Sequence, residues 1–360
     1  MFTTASLVVT GVVGGVDAAA APRITVAFTG DIIGSPATWP AARRYADGHG
    51  FDFRPMFVRL RTLVSSADLA ICHLETPLSG PGVRPSGAPR FAAPHQVAAA
   101  IRYAGYDGCS TASNHSIDQG SAGIRTTLGA LDAVDVGHAG TARTRSEARR
   151  ITTYEVDGVT IVHLSYAFGF NGLQPKHPWE ANLIDPARII ARARRARREG
   201  ADLVVVSLHW GIELRHAPSS WQLDVARRLT KSGAIDLIVG HHAHVVQPIR
   251  RVQRRWVAYG AGNSLTGMLA KDYVPDVQDG IVVLVTFEPD GDGWHVTRVR
   301  FAPTWVQPGR FVVRLVGPAI DAGRLPSSIL AELRRSWRRT VSTVDAASLG
   351  VKPFRRARLA

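Results

Sequence analysis

Five apolar runs in this chain are each long enough for a buried strand, and each ends in a residue able to bind a cation or carry a proton. "RITVAFTGD" ends at Asp31, "DLAIC" runs into His73-Leu74-Glu75, and the short run near Gly108 to Thr111 leads to Ser113-Asn114-His115. "LVVVSL" is followed by His209-Trp210-Gly211, and "AIDLIV" by "GHHAHVVQP", which packs three of the chain's 13 histidines into four residues. Between the runs lie stretches of helical character: Arg54 to Ala67, Pro94 to Ala104 closed by Gly105, Ser121 to Ala133, and Trp221 to Ser232. In a wound α/β protein the C-terminal ends of strands open onto one crevice, where ligands bind. The pattern therefore predicts that Asp31, Glu75, Asn114, His209, His242 and His244 converge there, although they span more than half of the chain.

The remaining elements shape the fold around that crevice. "ITTYEVDGVTIVHLSYAF" alternates apolar and polar residues on both sides of Asp157-Gly158, the turn chemistry of a hairpin that needs positive φ. A second hairpin is expected over Gly280 to Phe301, and Asp185 caps a helix that has Pro186 at its first position and Gly200 past its end. Hairpins mixed with βα units predict two packed sheets flanked by helices, and 45% hydrophobic residues over 360 positions suffice to bury such a core. "PSSILAELRRSWRR", from Pro326, places Ile329, Leu330, Leu333 and Trp337 on one helical stripe with arginines opposite, a stripe expected to dock on its own domain.

The donors at the strand ends are imidazoles, carboxylates and an amide, with no thiolate. Such a set suits hard-to-borderline divalent ions. Two ions about 3.5–4 Å apart need a bridging carboxylate, for which Glu75 and Asp31 are the candidates. Each residue alone has a structural reading: Asp31 as a turn cap, Asn114 as a left-handed backbone position, His209 as a satisfied buried histidine. The ordered set does not. Cys72 and Cys109 lie in apolar runs and are read as buried thiols.

The motifs "GD", "HLET", "SNHSIDQG", "HWGIE" and "GHHAHVVQP" followed by "YGAGNS" resemble the CapA (PgsA) family of capsule and poly-γ-glutamate synthesis, within the calcineurin-like metallophosphatase superfamily. The resemblance runs from about Ile24 to Ser264. It implies an α/β fold, a four-layer α-β-β-α sandwich with a two-metal centre, over residues 23–306, with a C-terminal extension at 307–360. It further implies that Asp31 and His244 serve one metal, that Glu75 bridges, and that Asn114, His209 and His242 serve the other. His115 then stands where the superfamily keeps its general acid. Asp118, Glu213, His241 and Asn263 are candidates for binding substrate or holding the ligands in place, with His241 the spare histidine of the cluster. The chain departs from the pattern at Ile33, where a phosphatase of the superfamily has a histidine, and at Ala243, where the family commonly has proline.

The resemblance implies two divalent ions, and the number of imidazoles favours Mn, Zn or Fe over Mg. The functional readings are two. One is a metal-dependent hydrolase acting on an anionic envelope polymer or a phosphorylated precursor. The other is a non-catalytic polymer-binding component of a polyglutamate synthesis or export assembly, with a membrane-bound polymer synthase as partner. A net charge of +14, carried by arginine with only four lysines, suits a polyanion. Nucleic acid is disfavoured, because no aromatic residues interleave with "RARRARR" at Arg192 to Arg198. The stretch Ala5 to Val16 with Ala18 to Ala21 after it looks like the end of a secretory signal and is shorter than the roughly 20 residues of a spanning helix. Residues 1–22 are thus read as a signal-like or disordered segment and the protein as exported or envelope-associated, or cytoplasmic if that segment is no signal.

Overall fold

The computed structural model describes residues 23–291, 293–344 and 350–354, so the signal-like segment lies outside the described residues. The chain first lays down four strands of one sheet: β1 (Ile24–Ile32), β2 (Leu69–Leu74), β3 (Gly108–Ser110) and β4 (Gly137–Ala139). It then builds a second sheet from β5 (Thr152–Val156), β6 (Val159–Ala167), β7 (Leu203–His209), β8 (Leu237–His241), β9 (Ile249–Val252) and β10 (Arg255–Ala258). It returns to the first with β11 (Asn263–Leu265), β12 (Asp279–Asp290), β13 (Gly293–Val306), β14 (Val313–Leu315) and β15 (Lys352–Pro353). The first sheet has the order β14-β13-β12-β1-β2-β3-β4, with β11 beside the end of β1 and β15 beside β13; the second runs β5-β6-β7-β8-β10-β9.

Strand periodicity explains the layering. Along β1, Val26 and Phe28 face the second sheet and pack with Ile71, Val205, Leu237 and Val239, while Ala27 turns outward to the helical layer containing Phe57, Val97 and Ile101. On the opposite side, Ile189, Ala193, Val225 and Leu229 from the helices Pro186–Arg198 and Ser220–Lys231 cover the second sheet. The α-β-β-α sandwich expected from the sequence is thus the observed fold. β1 to β4 are parallel to one another, as are β6 to β8 and β10.

Local signals act as read at several points. The β5–β6 hairpin turns at Asp157 (φ 49°) and Gly158 (φ 78°), and Asp185 accepts hydrogen bonds from the backbone N–H groups of Ala187 and Arg188. Elsewhere the structure corrects the reading. Arg54 to Ala67 is two single-turn helices, Arg54–Phe57 and Arg61–Val64, because three-residue turns such as Leu60 N–H to Phe57 C=O interrupt the α-ladder while Met56, Phe57, Leu60 and Leu63 keep their buried face. Cys72 and Cys109 are not free thiols: parallel register places them opposite each other on β2 and β3, Cα atoms 4.4 Å apart, and they form a disulfide. The C-terminal helix is Ser327–Val344, and its stripe of Ile329, Leu330, Leu333 and Trp337 packs on Trp305 and Val316.

Candidate metal centre

The six strand-end residues meet between the two sheets, three from each. Asp31, Glu75 and Asn114 come from the ends of β1, β2 and β3; His209, His242 and His244 come from the ends of β7 and β8. All six are at least 94% buried. Close backbone approach makes this possible at Asp31, since a Cβ on Gly30 would lie 2.2 Å from the Gly262 carbonyl oxygen, and the next N–H, that of Asp31, donates to that same oxygen at 2.9 Å.

The Asp31 carboxylate organises the histidine loop. It accepts from His241 Nδ1 at 3.1 Å and from the His242 backbone N–H at 3.0 Å, and His244 Nδ1 lies 3.3 Å from it. His241, set aside by the sequence reading as the spare histidine, thus lies directly against Asp31. His242 and His244 both have left-handed backbone, φ 86° and 56°. β8 ends at His241, and the loop beyond is held in this uncommon conformation by specific bonds. Asn263 supplies several. Its amide donates to the carbonyls of His244 and Val277 at 3.1 and 2.8 Å, and its Oδ1 lies 3.2 Å from His244 Nδ1. Asn263 is wholly buried and is therefore a clamp on the loop rather than a substrate contact.

A line of hydrogen bonds crosses the intersheet layer. His209 Nε2 is 2.9 Å from Asn114 Oδ1, and its Nδ1 is 2.9 Å from His73 Nε2, whose other nitrogen is bonded to Ser110 Oγ. The His73 ring stacks on His241 at 4.1 Å. The parallel pairing of His73 with Ser110 on β2 and β3 brings its ring between Ser110 and His209.

Charge is distributed unevenly. Burial pushes the Glu75 carboxyl up, Asp31 adds to this and His244 opposes it, leaving it at about 7. Burial would also raise Asp31, but hydrogen bonds from His241 and His244 outweigh it and hold the carboxyl well below the usual range. The His244 imidazole is disfavoured as a cation by burial, yet Glu75 and Asp31 lift it to about 10, whereas burial and the His244 charge push His242 down to about 3. His73 and His209 are pushed well below the usual value, chiefly by burial.

Above the cluster lies a crevice of about 860 Å³ lined by Glu75, Asn114, His115, Asp118, Glu213 and His244. Ile33, at the position of the missing histidine, forms part of its apolar wall. Ser113 and Ser116 build the turn that presents Asn114 and His115, through Ser113 N–H to Ser116 Oγ (2.6 Å) and His115 N–H to Ser113 Oγ (3.1 Å). His115 Nδ1 donates to Asp118 Oδ2 at 2.7 Å, and the same oxygen accepts from the Phe91 backbone N–H at 2.8 Å. Burial alone would lower the His115 pKa; the Asp118 bond and the Glu75 charge raise it instead. Glu213 sits with a carboxylate oxygen within 4.8 Å of nitrogens of His242 and His244, on their side rather than bonded to His209. Among the described residues Arg90 is the only arginine or lysine along the crevice, so their arginine excess is not concentrated there.

The donor chemistry fits divalent cations. Ligand atoms of Asp31, Glu75 and His244 lie within 4.8 Å of one another, as do those of His73, Glu75 and His209. Within this buried cluster Glu75 Oε2, His241 Nε2 and His242 Nδ1 have no hydrogen-bond partner among the described residues, a costly arrangement that a bound cation would relieve.

A two-sheet α/β sandwich with imidazole and carboxylate donors gathered at its strand ends is the class of protein that these features define. In fold it is similar to the NAD nucleotidase of Haemophilus influenzae, with a TM-score of 0.51 at 12% identity over 93% of this chain and 58% of that one. A family model described as "Bacterial capsule synthesis protein PGA_cap" matches residues 25–268, and the chain belongs to that family. It is 30% identical over 178 residues to the "Capsule biosynthesis protein CapA" of Bacillus anthracis, covering 48% of this chain and 43% of the relative. To the "PGA biosynthesis protein CapA" of Bacillus subtilis it is 34% identical over 157 residues, 43% of this chain and 41% of the relative. The matches thus span less than half the length of either relative.

Proposed function

We propose that this protein is a metal-dependent hydrolase of capsule or poly-γ-glutamate synthesis or export, acting on an anionic envelope polymer or a phosphorylated precursor. The observation that carries the proposal is the joint placement, on one crevice, of the His115–Asp118 pair and of Glu75, a buried donor lacking a partner, with Asn114 and His244 beside it. Asp31, Glu75, Asn114, His209, His242 and His244 would hold the ions. Divalent ions bound by this set supply Lewis acidity and a lowered pKa for water. The chain's own residues do the rest. Asp118 occupies His115 Nδ1 and so leaves Nε2 as the atom that carries a proton to the leaving group. Arg90 at the rim supplies a guanidinium for a substrate anion. The intersheet chain through His73 fixes the His209 ring.

The relatives' names support a setting of polyanion synthesis, in which a membrane-bound polymer synthase is the natural partner. The Cys72–Cys109 disulfide supports an exported or envelope location, because such bonds persist in oxidising compartments.

The test is a pair of variants assayed on phosphate monoesters, diesters and γ-glutamyl polymers. His115→Ala should keep its metal content and lower turnover by about 10²–10⁴-fold. His242→Ala should lose metal and turnover together. If wild-type protein hydrolyses none of these yet binds polyglutamate, the enzyme reading fails and the non-catalytic polymer-binding component takes its place.

A further inference from the structure

A second cavity, of about 280 Å³, lies away from the crevice, where β4 of the first sheet meets β5 and β6 of the second. None of the residues assigned to the metal centre lines it. Its lining includes His163, a wholly buried side chain on β6. One ring nitrogen of His163, Nε2, is 3.0 Å from Ser207 Oγ; the other, Nδ1, is buried without a partner among the described residues. A buried imidazole nitrogen left unpaired is costly unless something binds to it.

Charge along the cavity points to the sign of that partner. Arg150 and Arg192 line it, and Arg192 donates to the Arg150 backbone carbonyl, which brings the two segments together. Neither guanidinium has a carboxylate partner among the described residues. The carboxylate in the lining, Glu147, is already taken by Arg143 through its side chain and backbone N–H. Ser165 and Thr141 add hydroxyls to the wall. Two arginines without a carboxylate partner among the described residues, hydroxyl groups and a buried imidazole thus line the cavity, whose own acid is neutralised.

We propose that this cavity binds a small oxyanion, a carboxylate or phosphate carried on a molecule no larger than an amino acid, distinct from whatever occupies the crevice. Its volume falls just under the roughly 300–1,000 Å³ of sites for drug-sized ligands, which sets the size limit. The guanidiniums of Arg150 and Arg192 pair with the anion, as planar forked donors do with carboxylate and phosphate. When Ser207 donates to His163 Nε2, the Nδ1–H is left as the buried donor to the ligand. This site stands independently of the hydrolase reading.

The experiment uses full-length protein with ¹⁵N-labelled histidine, titrated with inorganic phosphate and separately with L-glutamate at ionic strength held constant with chloride. A saturable shift of the His163 ring nitrogens is expected with one of them. Phosphate alone acting identifies a phosphate ligand, and glutamate alone a carboxylate. The Arg150→Gln/Arg192→Gln variant, changed at solvent-accessible positions, should bind about tenfold more weakly or worse. The single Arg192→Lys variant, which keeps the charge and loses the fork, should fall between. No shift with either anion, or a shift of undiminished affinity in the double variant, would overturn the proposal.

Discussion

Two networks of ionisable side chains in this molecule, one partly exposed around the buried Asp279 and one wholly interior, differ in a way that separates architecture from chemistry. Beside the C-terminal helix, the Arg339 guanidinium binds both oxygens of Asp279 at 2.9 and 3.1 Å, reaches Glu332 at 3.1 Å and lies 2.9 Å from Asp276. Asp276 in turn holds His216, whose other nitrogen donates to the Val246 carbonyl. Every ionisable group of that network has a partner. At the strand-end crevice, Asp31, Glu75 and the histidines are more deeply buried, yet Glu75 Oε2, His241 Nε2 and His242 Nδ1 have no hydrogen-bond partner among the described residues. A closed network holds the chain to itself. An open one is built for something the chain does not supply.

The comparison can be broken first at its closed side. Arg339→Ala leaves Asp279 buried without its counter-ion, and loss of one partner of a buried pair should destabilise the fold by about 3 kcal/mol. Urea unfolding at pH 7 would measure this, with metal affinity unchanged. Loss of metal affinity in that variant would show that the two groups are not separate.

A smaller effect should come from the clamp on the open side. Asn263→Ala removes the bonds holding the His244 carbonyl and ring, and should weaken metal binding by about 10–100-fold, as is usual when the partner of a ligand is lost. Calorimetric titration would read it.

The smallest effect is the pH dependence of the closed network. The hydrogen bond to Asp276 raises the His216 pKa above 6.5, and His216 holds Asp276 below 3.8. The His216 contribution is complete below pH 6.5 and is lost as pH rises through its raised folded value. The Asp276 contribution is complete above pH 3.8 and is lost as pH falls through its lowered one. Stability lost in His216→Gln should therefore be greatest between these limits and shrink toward pH 9. With His216 more than one-third exposed, solvent screening keeps the loss to about 0.5 kcal/mol. A loss that grows at pH 9 would contradict this sign.

What the sequence made legible was what is local. The Asp157-Gly158 turn, the Asp185 cap and the donor at each strand end follow from residue chemistry within a few positions. Pairings set by strand order and register were not legible. Cys72 faces Cys109, and His73 faces Ser110, only because β2 and β3 are parallel neighbours in that register. His241 reaches Asp31 across the two sheets, 210 residues away in the chain. The left-handed backbone at His242 and His244 carried no glycine signal, because the His242 N–H bond to Asp31 and the Asn263 amide bond to the His244 carbonyl hold it in place of intrinsic preference.

The central claim, that the crevice is a cation site and not merely a polar patch in the core, is tested most directly by titrating Mn²⁺ and Zn²⁺ into chelator-stripped protein while following thermal unfolding, alongside Glu75→Gln. A cation that binds only the folded state adds about 2.7 kcal/mol at a hundredfold excess over Kd. The account predicts a saturable rise in Tm of several degrees for wild type. It also predicts none for Glu75→Gln, whose stripped form should be at least as stable as stripped wild type because an incompletely paired buried carboxylate is gone. No rise for either metal in wild type, with no metal retained on elemental analysis, would contradict it.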